Sequence, residues 1–594
     1  NFEKGYIYKL VWSPDSKNLL WNTKSLELNC INIETKAITT IHKSIAREIY
    51  DYTWSPDNNW VAFSDEDENR VLQIYLYNIK DKKEYKVTSQ WYNSYSPHFS
   101  HDGKYLFFIS NRDFNPIYSA VEWNIAYQDM SRIYFLTLNS DIKSPFANEN
   151  IEVFGKDTAK KDDKAFNLEI KNIENRIAVL PMLAGNFRNL NYVNGKLYFV
   201  ESRRGQSSKF KYYDLNEKKE QEIGDYWNYQ ISADRKNVLV YNNGNWYISN
   251  LPTGSLSLKE SVSFSDLKIN IDLKAEWQQI YFEAWRQMRD FLYDPNLHQV
   301  DWEKQKNKYA ELLPYVNSRN DLNYIIGELI GELNVGHAYV GGGDRKEIQR
   351  IKTGLLGAEF EKDKSGYFKI TKIYQGENWR NNLTSPLTGI GLDINENDYI
   401  TSINGQDLKE VDNIFSVLID QADKMIEIEV STSSNGKNAK KYFVKPISDE
   451  ADLIYFNWVR ENIRKVNEAT DGKVGYIHVP DMSVAGLNEF MKYYYPQLSK
   501  QALIIDDRGN GGGNVSPMLI ERLRRELSIM GMQRDVPLTN MKPRGMLFGP
   551  KVLLLDNYSA SDGDLFPYQF KRHELGVTVG QRSWGGVVGI RGSL

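Results

Sequence analysis

Four segments in the first 260 residues share one pattern: VWSPDSKNLLW, TWSPDNNWVAF, HFSHDGKYLFF and QISADRKNVLVY. Their serines, Ser13, Ser55, Ser100 and Ser232, are spaced 42, 45 and 132 residues apart, the last interval being three periods of 44. A weaker copy, YVNGKLYFV, fills part of that interval, with Gly195 lying 92 residues after Gly103. Each copy reads as a strand, an Asp/Asn/Gly-type turn and a second strand. Many are followed by a further pair, as in QIYLYNIKDKKEYKVT and KYYDLNEKKEQEI. A period in the low forties with several strands per unit is the mark of a β-propeller blade. About six units are countable. The expectation over residues 1–262 is a seven-bladed ring lacking part of its start, with 115–185 as a blade carrying an insertion. Trp12 and Trp54 are expected in the core. A propeller alone implies binding, filtering or scaffolding and nothing more specific.

The chain has 594 residues, enough for about three to five domains. A formal net charge of −4 implies no basic field, which argues against nucleic acid as a partner. No apolar run approaches the roughly 18 residues of a membrane span. No cleavable leader pattern is present, although the chain opens at Asn1, already inside a patterned segment. Cys30 is the only cysteine and the seven histidines show no HExxH spacing. An internal disulfide and a multi-cysteine zinc site are thereby excluded, and no metal or cofactor is expected.

From about residue 265 the period becomes helical. LKAEWQQIYFEAWRQMRDFLYD places Trp277, Ile280, Tyr281, Ala284, Trp285 and Met288 on one stripe, closed by Pro295. A second helix carries Leu322, Ile325, Ile326, Leu329 and Leu333, and His337 follows it in NVGHAYVGGGD. A histidine after a helix can simply cap or pack; the glycines beside this one suggest a close-approach loop. Residues 263–350 form the expected helical domain. Residues 351–446 read as a small β-rich domain, with GLLGAEF and NDYITSINGQ as its telling stretches. It resembles a PDZ domain, a fold that accepts an extended peptide as an added strand.

Strands and helices alternate over 447–594, indicating an α/β layer with largely parallel strands. Two strand ends are unusual. LIIDD runs into RGNGGGN, and VLLLDN runs into YSASDGD before a helix starting near Leu565. Sites in such sheets gather at the carboxyl ends of strands, beside free helix amides. Ser561 at such a junction can be exposed, and the N–H of Asp562 can face a developing oxyanion. A second donor can come from the Gly511–Gly513 run. The plainer alternative makes Ser559, Ser561 and Asp562 helix caps, with Asp564 three residues on. A nucleophilic serine needs a base. His478 sits within a strand and His573 in a polar helix end, which leaves His337 by elimination.

Together EWQQIYFEAWRQMRDFLYDPNLHQVDW, PYVNSRNDLNYIIGELIGELNVGHAYVGGGD, DDRGNGGGN, SASDGD and SWGGVVGI resemble the tricorn protease family. In its catalytic part that family is related to the tail-specific serine peptidases. The resemblance covers the chain from the propeller repeats onward. It implies a crotonase- or ClpP-like catalytic domain over 447–594, with Ser561 as nucleophile and His337 as general base. The oxyanion hole would use the amide of Asp562 and that of Gly512 or Gly513. It further implies peptide substrates, a ring-like homo-oligomer (a hexamer) and a cytoplasmic location, export to the periplasm being the alternative.

Three departures stand out. The family serine before the catalytic histidine is Gly336 here. The glutamate that orients the histidine is expected beyond Leu594. No acidic residue matches the family's determinant for basic side chains, Asp535 being the nearest. The leading expectation is a serine peptidase acting on short unfolded peptides with propeller-controlled access; the alternative is an inactive propeller and PDZ scaffold that binds peptides. A prolyl-oligopeptidase-like arrangement is excluded, because it needs a G-x-S-x-G elbow with histidine after serine.

Overall fold

The repeated serines act as turn locks. In the computed structural model, which describes residues 6–114, 116–118, 125–146, 166–344, 348–534 and 536–589, each repeat serine accepts a hydrogen bond from the amide five residues on. Asn18 N–H reaches Ser13 Oγ at 2.9 Å, Trp60 N–H reaches Ser55 Oγ at 2.9 Å, Tyr105 N–H reaches Ser100 Oγ at 2.8 Å and Asn237 N–H reaches Ser232 Oγ at 2.9 Å. At Ser13, Ser55 and Ser232 the hydroxyl donates to the aspartate two residues on. A small residue that both donates and accepts here closes the hairpin and satisfies its buried amides.

Each hairpin extends into a small antiparallel sheet. Trp60–Glu66, for example, pairs with Tyr52–Trp54 on one side and Leu72–Asn78 on the other, and buries Val61, Ala62 and Phe63 completely. Among the described residues there are five such sheets, four of four strands and a last one of three. The count falls short of the expected six units because the third blade absorbs a period. It joins Ser94–Phe99 and Tyr105–Asn111 to Ser131–Thr137 and Ile177–Val179, with a small hairpin, Pro116–Tyr118 and Ile125–Tyr127, on the way. Trp54 is in the core as expected, but Trp12 is 54% exposed. Residues 1–272 with 290–292 cluster as one compact unit, and 273–289 with 293–594 as another.

In the second unit α1 (Leu273–Phe291) buries Trp277, Tyr281 and Trp285 along the expected stripe. A short helix absent from the expectation, α2 (Trp302–Ala310), follows; the Asp301 side chain caps it by accepting from Lys304 N–H. α3 (Arg319–Gly331) starts at a Ser318–Asp321 capping box and buries Leu322, Ile325, Ile326 and Leu329. The β-rich domain is a six-stranded sheet, with the Asn404–Gly405 turn joining Tyr399–Ile403 to Gln406–Asp407. Its expected helix is a single 3₁₀ stretch, Ile414–Leu418. After α4 (Ala451–Ala469) come four parallel strands in the order Val474–His478, Ala502–Asp506, Lys551–Leu555 and Gly576–Gly580. Helices α5 (Val484–Tyr494), α6 (Ser516–Leu523) and α7 (Asp562–Arg572) pack on them over a core of Ile477, Leu503, Ile505, Leu553, Phe566 and Phe570.

Candidate active site

The strand Lys551–Leu555 ends in a tight turn held by carboxylate and hydroxyl groups. Asp556 Oδ1 accepts from Tyr558 N–H and, across the loop, from Gly509 N–H, both at 3.0 Å. Ser559 is buried and donates to the Asp507 carbonyl at 2.8 Å. The chain then enters α7 through Ser561, whose φ of 59° and ψ of −119° lie where a side chain is strained. Ser561 is at the same time the N-cap of α7, in a capping box with Asp564, so the plainer role that the sequence allowed falls on the same residue. The helix therefore begins three residues earlier than Leu565, at Asp562.

The Asp562 carboxylate is occupied, accepting from Ser516 N–H at 2.9 Å and from the Ser516 hydroxyl at 2.5 Å. Its N–H is one of the donors that a helix start leaves without an intrahelical acceptor. The glycine run closes on the same point. A Cβ on Gly512 would lie 2.5 Å from Ser561 Cβ, 2.6 Å from the Ala560 oxygen and 2.9 Å from Asp562 N. No residue but glycine fits there, and its φ of +89° requires glycine as well. Gly512 donates its own N–H to Asn510 Oδ1 at 2.9 Å. Met482 bridges the residues on either side of Gly513, donating to the Gly512 carbonyl and accepting from Asn514 N–H, both at 2.8 Å. The Gly513 N–H has no acceptor among the described residues. Asn510, a residue the sequence pattern did not single out, also accepts Ala560 N–H on its carbonyl at 2.8 Å. It thereby ties the glycine loop to the serine turn.

His337 follows α3 in the left-handed region, with φ of 59°. Its Nδ1 lies 2.8 Å from the Tyr339 hydroxyl, which suits a tautomer protonated at Nδ1 with a lone pair on Nε2. Nε2 is buried and makes no hydrogen bond among the described residues, so the bond to Ser561 Oγ expected of a catalytic dyad is not formed in this structure. The ring instead meets Trp584 edge-on, centroids 5.5 Å apart at 77°. At Gly336, where the family has serine, the fit is tight: a Cβ there would stand 3.1 Å from Gly586 Cα and 3.4 Å from the Trp584 ring. Of the other histidines, His478 is buried between the Tyr455 hydroxyl at 2.9 Å and the Arg508 carbonyl at 3.1 Å, and burial lowers its pKa. His573 ends α7 as its C-cap.

Beneath the loop the electrostatics are lopsided. Asp506 is buried yet held below its ordinary pKa: burial pushes it up, but Arg508 and the Tyr476 hydroxyl more than offset this. Asp507 is also fully buried, and neither carboxyl oxygen has a well-formed hydrogen bond among the described residues. Burial drives its pKa well above the carboxylate range; the Asn510 amide opposes this, and the charges of Asp506, Asp556 and Asp564 add to it. No group of three His, Cys, Asp or Glu able to hold a metal occurs among the described residues, and none of their helices is long and apolar enough to cross a membrane. Asp535 lies outside the described residues.

A serine on a strained strand-to-helix turn with a glycine loop against it, and a histidine on a loop that meets Trp584, on a chain that also carries a propeller and a small β-rich domain, match the layout of a modular serine peptidase. The family models agree part by part: tricorn protease second β-propeller domain over residues 1–252, tricorn protease C1 domain over 273–331, tricorn protease PDZ domain over 354–449 and peptidase family S41 over 473–594. The chain belongs to the tricorn protease family. It is 30% identical to a tricorn-like protease C-terminal subunit from Sulfurisphaera tokodaii, over 99% of this chain and 68% of that one. It is 32% identical to a tricorn protease homolog from Saccharolobus solfataricus, over 98% and 55%. The crystal structure of the tricorn protease superposes on all of this chain and 59% of its own, with a TM-score of 0.87 at 26% identity. Apart from the Sulfurisphaera protein, the chain spans 50–57% of the length of these curated relatives.

Proposed function

We propose that this chain hydrolyses peptide bonds by acyl transfer through Ser561. His337 Nε2 takes the hydroxyl proton as Ser561 Oγ bonds to the substrate carbonyl carbon, and the carbonyl oxygen becomes an oxyanion. The N–H groups of Asp562 and Gly513 receive that charge, since Gly512 has already committed its own N–H to Asn510. Gly512 supplies the room. Collapse breaks the C–N bond, and the proton on His337 passes to the leaving amine. A water molecule, deprotonated by the same nitrogen, then hydrolyses the ester and restores Ser561.

The observation that carries this reading is the close approach of Gly512 to Ser561 Cβ and Asp562 N. It brings the serine and the glycine loop into the relation an oxyanion hole needs. Ser561 also caps α7, but a cap ordinarily takes extended backbone, so its strain of about 1–3 kcal/mol favours the peptidase over an inactive scaffold. Short unfolded peptides are the proposed substrates, with no strong preference for Lys or Arg. Entry through the propeller, a ring-like homo-oligomer and a cytoplasmic setting belong to the same proposal, by analogy with the family. The test is labelling by a fluorophosphonate probe together with turnover of a mixed peptide library. Both are expected in the wild-type chain and lost in Ser561→Ala and His337→Ala. Absence of both in the wild type would return the chain to the scaffold reading.

A further inference from the structure

Asp564 is 8% exposed and lies one turn into α7. Its carboxylate accepts three main-chain N–H groups: Ser561 at 2.9 Å and Gly586 at 3.1 Å on Oδ2, and Gly585 at 2.7 Å on Oδ1. No lysine, arginine or histidine forms an ion pair with it among the described residues, so amide dipoles and the start of α7 balance its charge. The first of those amides belongs to the proposed nucleophile. The other two belong to the strap that follows the edge strand Gly576–Gly580, fixed a second time by Trp584 N–H on the Ser559 carbonyl at 2.9 Å. That strap presses Gly586 against Gly336 and sets the Trp584 ring against His337. One buried carboxylate thus touches the serine directly and the histidine through two residues of strap.

We propose that Asp564 is a positioning residue that holds Ser561 and His337 in a common frame, with Trp584 as its arm on the imidazole. The inference rests on the peptidase reading above and adds the device that places its two reacting side chains. It is consistent with the glycine at 336, since a side chain there would crowd the strap by a few tenths of an ångström. An aspartate is required rather than an asparagine: three donors converge on two oxygens, and an amide NH₂ would face at least one of them.

The experiment compares rate constants for fluorophosphonate labelling of the full chain in Asp564→Asn, Trp584→Ala, Trp584→Phe and the double variant Asp564→Asn/Trp584→Ala. Misplacement by about 1 Å costs on the order of 100-fold, and that loss is expected for Asp564→Asn and Trp584→Ala. Phenylalanine, which keeps an aromatic edge, should restore most of the rate. The double variant should be no slower than the worse single one, because both act through the same strap. Trp584 is 47% exposed, so its truncation opens no core cavity and keeps the test valid if Asp564→Asn folds poorly. Hydrogen exchange supplies a readout independent of activity. Asp564→Asn should speed exchange in 584–586 and in 336–340 together, while 566–570 stays protected. Wild-type rates in both single variants, multiplying losses in the double, or faster exchange confined to 560–565 would overturn the proposal. An unlabelled wild type would instead defeat the peptidase reading, and the exchange data would still decide the role of Asp564.

Discussion

Gly512→Ala gives the sharpest test of how the glycine loop meets the serine turn. A methyl group there arrives 2.5 Å from Ser561 Cβ, 2.6 Å from the Ala560 oxygen and 2.9 Å from Asp562 N, where ordinary contact begins at 3.4 Å. Relief therefore needs about 0.9 Å of movement, and two of the three obstructing atoms are main chain. The left-handed backbone adds about 1–2 kcal/mol of strain in the same place. A displacement near 1 Å lowers a reaction rate on the order of 100-fold, or about 2.7 kcal/mol of barrier. The assay is the rate of fluorophosphonate labelling, with urea unfolding in parallel. Gly511→Ala is the control: no atom lies within 4 Å of its Cβ position and its φ is ordinary, so its rate and stability should stay near wild type. If Gly512→Ala labels within about threefold of wild type while remaining folded, the contact does not govern the chemistry and the reasoning fails.

Three further outcomes follow from particular contacts. His42 bonds Asp65 at 2.9 Å and Glu84 at 2.6 Å across two blades; burial opposes its charge, but the carboxylates prevail and raise its pKa from 6.5 to about 9. Its stabilising contribution is full below pH 6.5 and gone above about 9, so the melting difference from His42→Asn should shrink between those values; equal differences at pH 6 and 10 would refute the coupling. Asp507 has a raised folded pKa, hence stability present below the usual carboxylate range and lost as pH rises. Asp507→Asn should be more stable than wild type at pH 7, with the gain vanishing near pH 4, as read by urea unfolding at both. Tyr339→Phe removes the hydroxyl beside His337 Nδ1 and should slow labelling about 5- to 10-fold; an unchanged rate would show that the tautomer is set elsewhere.

The architecture was legible where one local rule repeats. Ser13, Ser55, Ser100 and Ser232 close hairpins by bonds that span five residues, so a fixed period exposes them. The blade count was not, because the insertion in the third sheet has no period and mimics a missing unit. Trp12 misled for a related reason: the motif gives its place in a strand, but not which strand faces a neighbour. Helix α2 buries only Trp302 and Tyr309, too few apolar positions to show a stripe. The strand Gly576–Gly580 is mostly exposed and shows no alternation of burial. At the site, Ser561 and the glycine run stood out because both follow apolar strand sequences. Asp564 could be read as a helix cap, but its grip on Gly585 and Gly586 joins segments about twenty residues apart with no pattern between them. The meeting of His337 with Trp584 is more distant still, and nothing local announces it.

That distance has a consequence for the order in which the molecule becomes dangerous. Gly336 and Gly586 touch across about 250 residues of chain, a span whose closure is slow compared with local pairing. The PDZ sheet lies inside that loop and can complete itself first, as local domains do during synthesis. His337 is thus made long before Ser561, which follows it by 224 residues. Until the tryptophan strap emerges behind the serine, a growing polypeptide holds the parts of a hydrolase without their alignment. On the peptidase reading, a chain that ended before Trp584 would hold Ser561 and His337 without the strap that joins them.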